Sequence, residues 1–262
     1  MFQPHLFQDG RKMSATVPLI LEEDCERGGK DYDEDGIEND FAYRNNVMQA
    51  SKAIRLAFIR KVYGLLSMQL LLTVVVATIC MFTPQIKSFV QTNTWMMAIA
   101  LIASLVLIVA LHIKRRETPI NLILLAAFTV VEAYTLGVIL TFYSQTVVLQ
   151  AVLLTFIVLA GLTFYTFQTK HDFSTMYSGL FAGLCILLVG GFMQVFFHSN
   201  TFEIIYSLGG AFLFCLFIIF DTQMLMKTLS AEEYILATIN LYLDIVNLFL
   251  YILRILQAMN RQ

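Results

Sequence analysis

Charge is scarce in this sequence. Only 14% of its 262 residues are charged, whereas 58% are hydrophobic and the mean hydropathy is +0.72. This composition excludes an ordinary soluble domain and indicates an integral membrane protein. The formal net charge of -2 conceals a segregation, because eleven of the 19 acidic residues but only five of the 17 basic ones lie within residues 1–44. Basic residues near the remaining apolar runs favour a role in membrane orientation over nucleic-acid binding.

Cysteine is also rare, and a cleavable signal peptide is not recognisable. The four cysteines are Cys25, Cys80, Cys185 and Cys215, of which three lie within apolar runs, so no disulfide framework is expected. The first sixty residues lack a basic segment followed by an apolar run and a small-residue cleavage site, and we expect the first membrane helix to act as an uncleaved insertion signal. Residues 1–45 are too acidic to fold alone and are predicted to form a disordered tail.

Long apolar runs, by contrast, are abundant. A hydrocarbon core of about 30 Å requires about 20 apolar residues per helix. The runs that meet this length are 62–82, 95–113, 120–142, 147–167, 176–197, 204–226 and 234–256. The sequence therefore predicts an all-α integral membrane protein, a bundle of seven transmembrane helices within residues 46–262. Residues 46–61 are expected to form a short amphipathic lead-in, and the seventh run either spans or re-enters the membrane.

The connecting segments alternate in positive charge. Arg60 and Lys61 precede the first run, Lys114-Arg115-Arg116 follows the second, and Lys227 follows the sixth, whereas the intervening segments carry few basic residues. Because positive segments stay on the cytosolic side, this pattern predicts a cytosolic N-terminus. If all seven runs span, the C-terminus lies in the lumen.

Two aspartates stand inside apolar runs. A charged residue at membrane depth costs about 2.5–3.5 kcal/mol on insertion scales, so such residues usually have a function. At about 1.5 Å per residue, Asp221 and Asp244 would reach similar depth in the cytosolic half of the bilayer, where their helices could pack together. Two neighbouring carboxylates do not both ionise cheaply, so the pair is expected to share a proton. It could also attract a hard cation such as Ca²⁺ transiently.

Other polar residues extend this candidate ion pathway. Asn240, Asp244, Asn247 and Arg254 fall on one narrow stripe of the seventh helix, and we expect this stripe to face the bundle. Glu132 lies midway along the third run. The alternative is that these side chains only hydrogen-bond neighbouring helices and hold the bundle together.

Several longer motifs coincide with these positions. They are Ile54-Arg-x-x-Phe58, Phe164-Tyr-Thr166, Lys170-x-Asp-Phe173, Phe217-Ile-Ile-Phe-Asp-Thr222 and Leu241-Tyr-Leu-Asp-Ile-Val-Asn-Leu-Phe249. With them, the sequence from about residue 54 to 260 resembles the Bax-inhibitor superfamily, also called the transmembrane BAX inhibitor motif or Lifeguard family. Within that family it is most similar to the Golgi anti-apoptotic, or Lifeguard four, branch.

The resemblance implies a seven-helix bundle in Golgi or endoplasmic reticulum membranes. It also implies a pH-sensitive Ca²⁺ leak that lowers store Ca²⁺ and restrains apoptosis, with Ca²⁺ as the transported ion and no cofactor. Asp221 and Asp244 match the family's proton-sensing pair. A basic residue at the cytosolic end of the second helix latches onto that pair in the family. The candidates here are Lys114, Arg115 and Arg116, and Lys114 aligns with the position.

Two other functions remain open. A non-conducting adaptor could bind apoptosis regulators or Ca²⁺-release channels. An intramembrane aspartyl protease also places one aspartate on each of two neighbouring helices as an acid–base pair. Asp221 follows Phe220, however, and Leu241-Tyr-Leu precedes Asp244 in place of the Gly-x-Gly of such proteases. We therefore expect no enzymatic activity.

Overall fold

The computed structural model describes residues 52–169, 171–196, 199–227, 229 and 233–260, so the predicted tail at 1–45 lies outside the described residues. Seven of the described helices are long and apolar enough to cross a membrane, which confirms the predicted all-α fold class. In chain order the helices are α1 (Lys52–Phe82), α2 (Pro84–Thr92), α3 (Trp95–Lys114), α4 (Ile120–Leu140), α5 (Gln145–Gln168), a 3₁₀ turn (Ser174–Met176), α6 (Tyr177–Phe196), α7 (Asn200–Lys227) and α8 (Tyr234–Asn260).

The first helix begins earlier than predicted. Residues 52–61 belong to α1 itself, so the expected separate lead-in is wrong over this part, and residues 46–51 lie outside the described residues. Ile54, Phe58, Val62 and Leu66 are all buried at four-residue spacing. One apolar stripe therefore runs through the predicted boundary on a single helix face, with no proline or glycine in residues 52–61 to interrupt it.

The segment after α1, predicted to be a loop, contains the helix α2. Pro84 occupies its first turn, where a missing N–H costs no helical hydrogen bond. The helix has only nine residues, which is too short to cross a bilayer. Val90 is buried, and the Gln91 amide donates a 3.0 Å hydrogen bond to the carbonyl of Thr141 just after α4. This contact fixes α2 against the end of the bundle away from α8's start.

The last helix lies at the centre of the bundle. In α8, 67% of the most apolar stretch is buried within the protein, whereas the corresponding stretches of the other six spans are 11–44% buried. It packs most extensively against α7 and also contacts α5, α1 and α4. It runs unbroken over 27 residues from Tyr234 to Asn260. Because a re-entrant segment must reverse within the membrane, the unbroken helix fits the spanning alternative.

The helices α7 and α8 approach closely at Gly210. A Cβ atom on Gly210 would lie 2.4 Å from the ring of Tyr251 on α8, so only glycine fits there without rearrangement. The Tyr251 ring is itself held, because it stacks on Phe214 and its hydroxyl lies 3.2 Å from that of Tyr206. This close approach brings the two aspartate-bearing helices side by side.

Candidate functional site

The structure brings Asp221 and Asp244 together across the α7–α8 interface. Their carboxyl groups face each other and lie close enough to interact electrostatically. Asp244 is only 7% exposed, and its Oδ2 has no hydrogen-bond partner among the described residues. Two neighbouring carboxyl groups do not both ionise cheaply, so this arrangement favours a proton on one of them.

The segment between α5 and α6 is fastened close to this pair. Gln223, buried on α7 two residues beyond Asp221, accepts a 2.6 Å hydrogen bond from the backbone N–H of Phe173. Its side-chain amide also donates to the carbonyl of His171. The segment 171–173, part of one of the family-like motifs, is thereby held on the helix that carries Asp221.

The predicted polar stripe on α8 is only partly directed into the bundle. Asn240 is exposed, so the expectation that it faces the interior is wrong. It lies about 9 Å from the start of α8, one turn nearer the polar boundary than Asp244. Asn247 is half-buried and donates to the carbonyl of Leu243 on its own helix at 2.8 Å. Arg254 donates to Gln194 of α6 at 3.2 Å, which is a contact between helices.

Glu132 is not part of the carboxylate pair. It lies half-buried on α4, faces Ser104 of α3, and is within electrostatic range of Tyr242 on α8. The threonines that flank it do not hold it, because Thr129 and Thr135 donate to carbonyls of their own helix. Glu132 therefore belongs to a second polar region at the opposite face of α8.

This second region is a buried hydroxyl and amide cluster, which sequence analysis missed. The hydroxyl of Thr73 donates its proton to the carbonyl of Gln69. The hydroxyl of Tyr242 lies 2.9 Å from the Thr73 oxygen and is therefore the donor of the hydrogen bond between these two side chains. The Gln69 amide donates to Thr129 at 2.8 Å, whereas its Oε1 has no partner among the described residues. The available signal was the four-residue spacing of Gln69 and Thr73, which places both on one face of an apolar helix.

Removing the Tyr242 hydroxyl tests this cluster. Tyr242→Phe keeps the edge contact with Phe128 but deprives Thr73 of its donor. We expect a loss of about 1 kcal/mol of stability, the net worth of a typical hydrogen bond. Thermal unfolding in detergent measures it, with Tyr165→Phe as the control because Tyr165 is 48% exposed. Equal unfolding midpoints for the two variants would contradict the structural role of this hydroxyl.

The three latch candidates lie at the end of α3 and directly after it. Lys114 pairs with Glu117 at 2.7 Å, and Arg115 Nη2 lies 3.7 Å from Glu233 Oε1 just before α8. Arg116 is exposed and makes a contact of its own. Within the described ranges, no ion pair joins Lys114 or Arg115 to Asp221 or Asp244. A latch on the pair remains a prediction from the family resemblance.

The pair does not resemble a resident metal site. Among the residues that the structure describes, no group of three or more histidine, cysteine, aspartate or glutamate side chains could hold a metal ion. Ca²⁺ takes six to eight oxygen ligands in a stable site. Two carboxyl groups supply at most four, which is fewer than such a site requires.

Comparison with known proteins places the chain in a family. Residues 55–262 match the family described as inhibitor of apoptosis-promoting Bax1. Protein lifeguard 4 of Mus musculus is 46% identical over 88% of this chain and 97% of its own length. The Golgi anti-apoptotic protein of Vaccinia virus (strain Lister) is 44% identical over 86% and 95%, and Bax inhibitor 1 of Schizosaccharomyces pombe is 36% identical over 86% and 87%. The names of the family and of the Golgi anti-apoptotic protein refer to the inhibition of apoptosis. The chain therefore belongs to the Bax-inhibitor family of multi-pass membrane proteins, which includes the lifeguard and Golgi anti-apoptotic proteins.

Proposed function

We propose that this protein is a proton-gated Ca²⁺ leak of Golgi or endoplasmic reticulum membranes, with its N-terminus in the cytosol. By releasing store Ca²⁺ it restrains apoptosis. The sensor of pH is the pair Asp221 and Asp244. Gain or loss of the shared proton changes the charge between α7 and α8, and so shifts the equilibrium between a closed and an open packing of these helices.

One observation carries the proposal: two carboxyl groups lie within electrostatic range of each other inside the most extensive helix interface of the bundle. A buried polar group that only holds two helices together is expected to have a neutral partner, because placing a second acidic side chain beside the first at membrane depth costs free energy. The buried Asp244 Oδ2 without a partner among the described residues adds to this cost. Such a cost is expected where the site has a function that depends on its charge.

The cellular part of the proposal is supported by the relatives. A Golgi anti-apoptotic protein and a protein lifeguard 4 each match more than four fifths of the chain. Anionic oxygen ligands at membrane depth are suited to a hard cation, and Ca²⁺ is the hard cation that intracellular stores concentrate. Transfer of the anti-apoptotic role to this chain rests on those names and on the shared family.

Store Ca²⁺ in living cells tests this function. Cells that express the protein should show a lower steady Ca²⁺ concentration in the Golgi or endoplasmic reticulum, read with lumenal indicators targeted to each. They should also survive an apoptotic stimulus better than cells that express the double variant Asp221→Asn/Asp244→Asn at equal level. Protection without any change in store Ca²⁺, equal for both proteins, would contradict the leak and favour a non-conducting adaptor.

A further inference from the structure

The first turn of α8 is fastened by three other helices. Tyr234 is buried, the Lys61 ammonium of α1 lies 3.6 Å from the centre of its ring, and the Asn121 amide of α4 donates to its hydroxyl at 3.1 Å. The preceding residue, Glu233, has its Oε1 3.7 Å from Arg115 Nη2 at the end of α3. We call these five residues the α8 clamp.

The two halves of the clamp are connected through Asn121. This side chain is fully buried, and the same amide nitrogen that donates to Tyr234 also donates to the carbonyl of Arg115 at 3.0 Å. A buried side chain with two specific acceptors holds them at fixed positions, because leaving either acceptor unpaired is costly. The contact with Lys61 adds a cation–π attraction across the ring of Tyr234.

We propose that the α8 clamp holds the leak in its closed packing, and that it acts separately from the carboxylate pair. This inference rests on the proposed function. Asp244 lies ten residues, about 15 Å, beyond Tyr234 on the same unbroken helix. A displacement of α8 that separates Asp244 from Asp221 therefore carries Tyr234 and Glu233 away from their partners on the other helices.

The clamp and the pair make different contributions to one equilibrium. The clamp contacts include neither Asp221 nor Asp244, so their contribution to the closed packing does not depend on the proton of the pair, whereas the contribution of the pair does. The charged and titratable groups at the clamp are Lys61, Arg115, Glu233 and Tyr234, with the separate pair of Lys114 and Glu117 adjacent. While the open packing is a small fraction of the molecules, weakening the clamp should therefore raise Ca²⁺ flux by one common factor across the pH series and leave the midpoint of the pH profile unchanged.

A charge exchange across the ion pair tests this role in proteoliposomes. Arg115→Glu and Glu233→Arg should each raise flux about two- to fivefold, the range expected for a partly exposed ion pair, and the double exchange should restore the wild-type level. Arg60→Gln is the matched control, because Arg60 is an exposed basic residue of α1 that belongs neither to the clamp nor to the latch candidates. If Arg115 instead acts as the latch on Asp221 and Asp244, we expect another outcome. Arg115→Glu would then move the midpoint of the pH profile, and adding Glu233→Arg would not restore it. That outcome, or single variants with wild-type flux, would overturn the clamp.

A distance measurement tests whether the clamp holds α8 in place without relying on Ca²⁺ flux. Spin labels at Thr118→Cys and Leu236→Cys, in protein whose native cysteines are replaced by alanine, report the separation of the α3–α4 segment from α8. We expect a narrow distance distribution that broadens in Glu233→Gln and remains narrow in the control Arg60→Gln. If the wild-type protein carries no flux, the proposed function is wrong. The distance distribution then tests by itself whether the clamp holds the start of α8 in place. An unchanged distribution in Glu233→Gln overturns it.

Discussion

Replacing both members of the carboxylate pair, as Asp221→Asn/Asp244→Asn, should leave a Ca²⁺ flux that no longer changes with pH. In the wild-type protein one titrating proton can change a closed–open equilibrium by up to about tenfold per pH unit. Asparagine has nearly the shape of a protonated aspartate and carries no titrating proton, so this dependence should disappear while the helices still pack. Flux across a pH series in proteoliposomes, with the double variant and wild type at equal protein density, measures the effect.

The pair should be distinguishable from acids elsewhere in the chain. Glu117→Gln removes an exposed carboxylate between α3 and α4 and should retain the wild-type pH profile, because Glu117 contacts Lys114 and not the pair. The single variants Asp221→Asn and Asp244→Asn should each shift the pH profile without removing it, since the remaining acid still titrates but no longer shares its proton with a second acid. A double variant with the full wild-type profile would show that the sensor lies elsewhere, with Glu132 the next candidate.

Two adjacent glycines on α7 should respond in opposite directions to alanine. In Gly210→Ala the new Cβ would collide with the Tyr251 ring at 2.4 Å, whereas at Gly209 nothing lies within 4 Å. The Tyr251 ring cannot rotate away freely, because Phe214 and Tyr206 hold it. Overpacking of this kind costs about 1–3 kcal/mol. Gly209→Ala should instead gain up to about 1 kcal/mol from higher helix propensity.

Thermal unfolding in detergent compares the two variants under identical conditions. Gly210→Ala should unfold below the wild-type protein and Gly209→Ala at or above it, with shifts of roughly 2–4 °C per kcal/mol for a protein of this size. Since Gly210 lies at the interface that joins Asp221 to Asp244, its variant should also conduct abnormally if it folds. Equal midpoints for both variants would mean that α7 and α8 separate at this point without cost, contrary to the close approach in the structure.

The spans and the carboxylate pair were predictable from sequence because each rests on a local property. About twenty consecutive apolar residues require a membrane helix, and an aspartate within such a run stands out against its neighbours. The start of α1 was missed because charge at Arg55, Arg60 and Lys61 suggested a boundary, although the buried stripe from Ile54 to Leu66 continues through it. Helix α2 was missed because the search was for long apolar runs, and this helix has only nine residues of mixed polarity.

The clamp and the buried cluster could not be predicted in the same way. Asn121 and Tyr234 are 113 positions apart, and Thr73 and Tyr242 are 169 apart. Contacts of this kind depend on the order in which helices surround α8, and a single sequence does not specify that order. Asn240 could not be placed from sequence for the same reason. Its spacing puts it on one face of α8 with Asp244, but only part of that face packs against another helix, and Asn240 is exposed.

The most direct measurement is Ca²⁺ flux into liposomes that contain only the purified wild-type protein, across a pH series and beside protein-free liposomes. We expect flux above the protein-free level, with a rate that changes with pH along a titration curve. Folded protein with no flux above that level at any pH would contradict the leak, and flux that is constant with pH would contradict the role of Asp221 and Asp244 as its sensor.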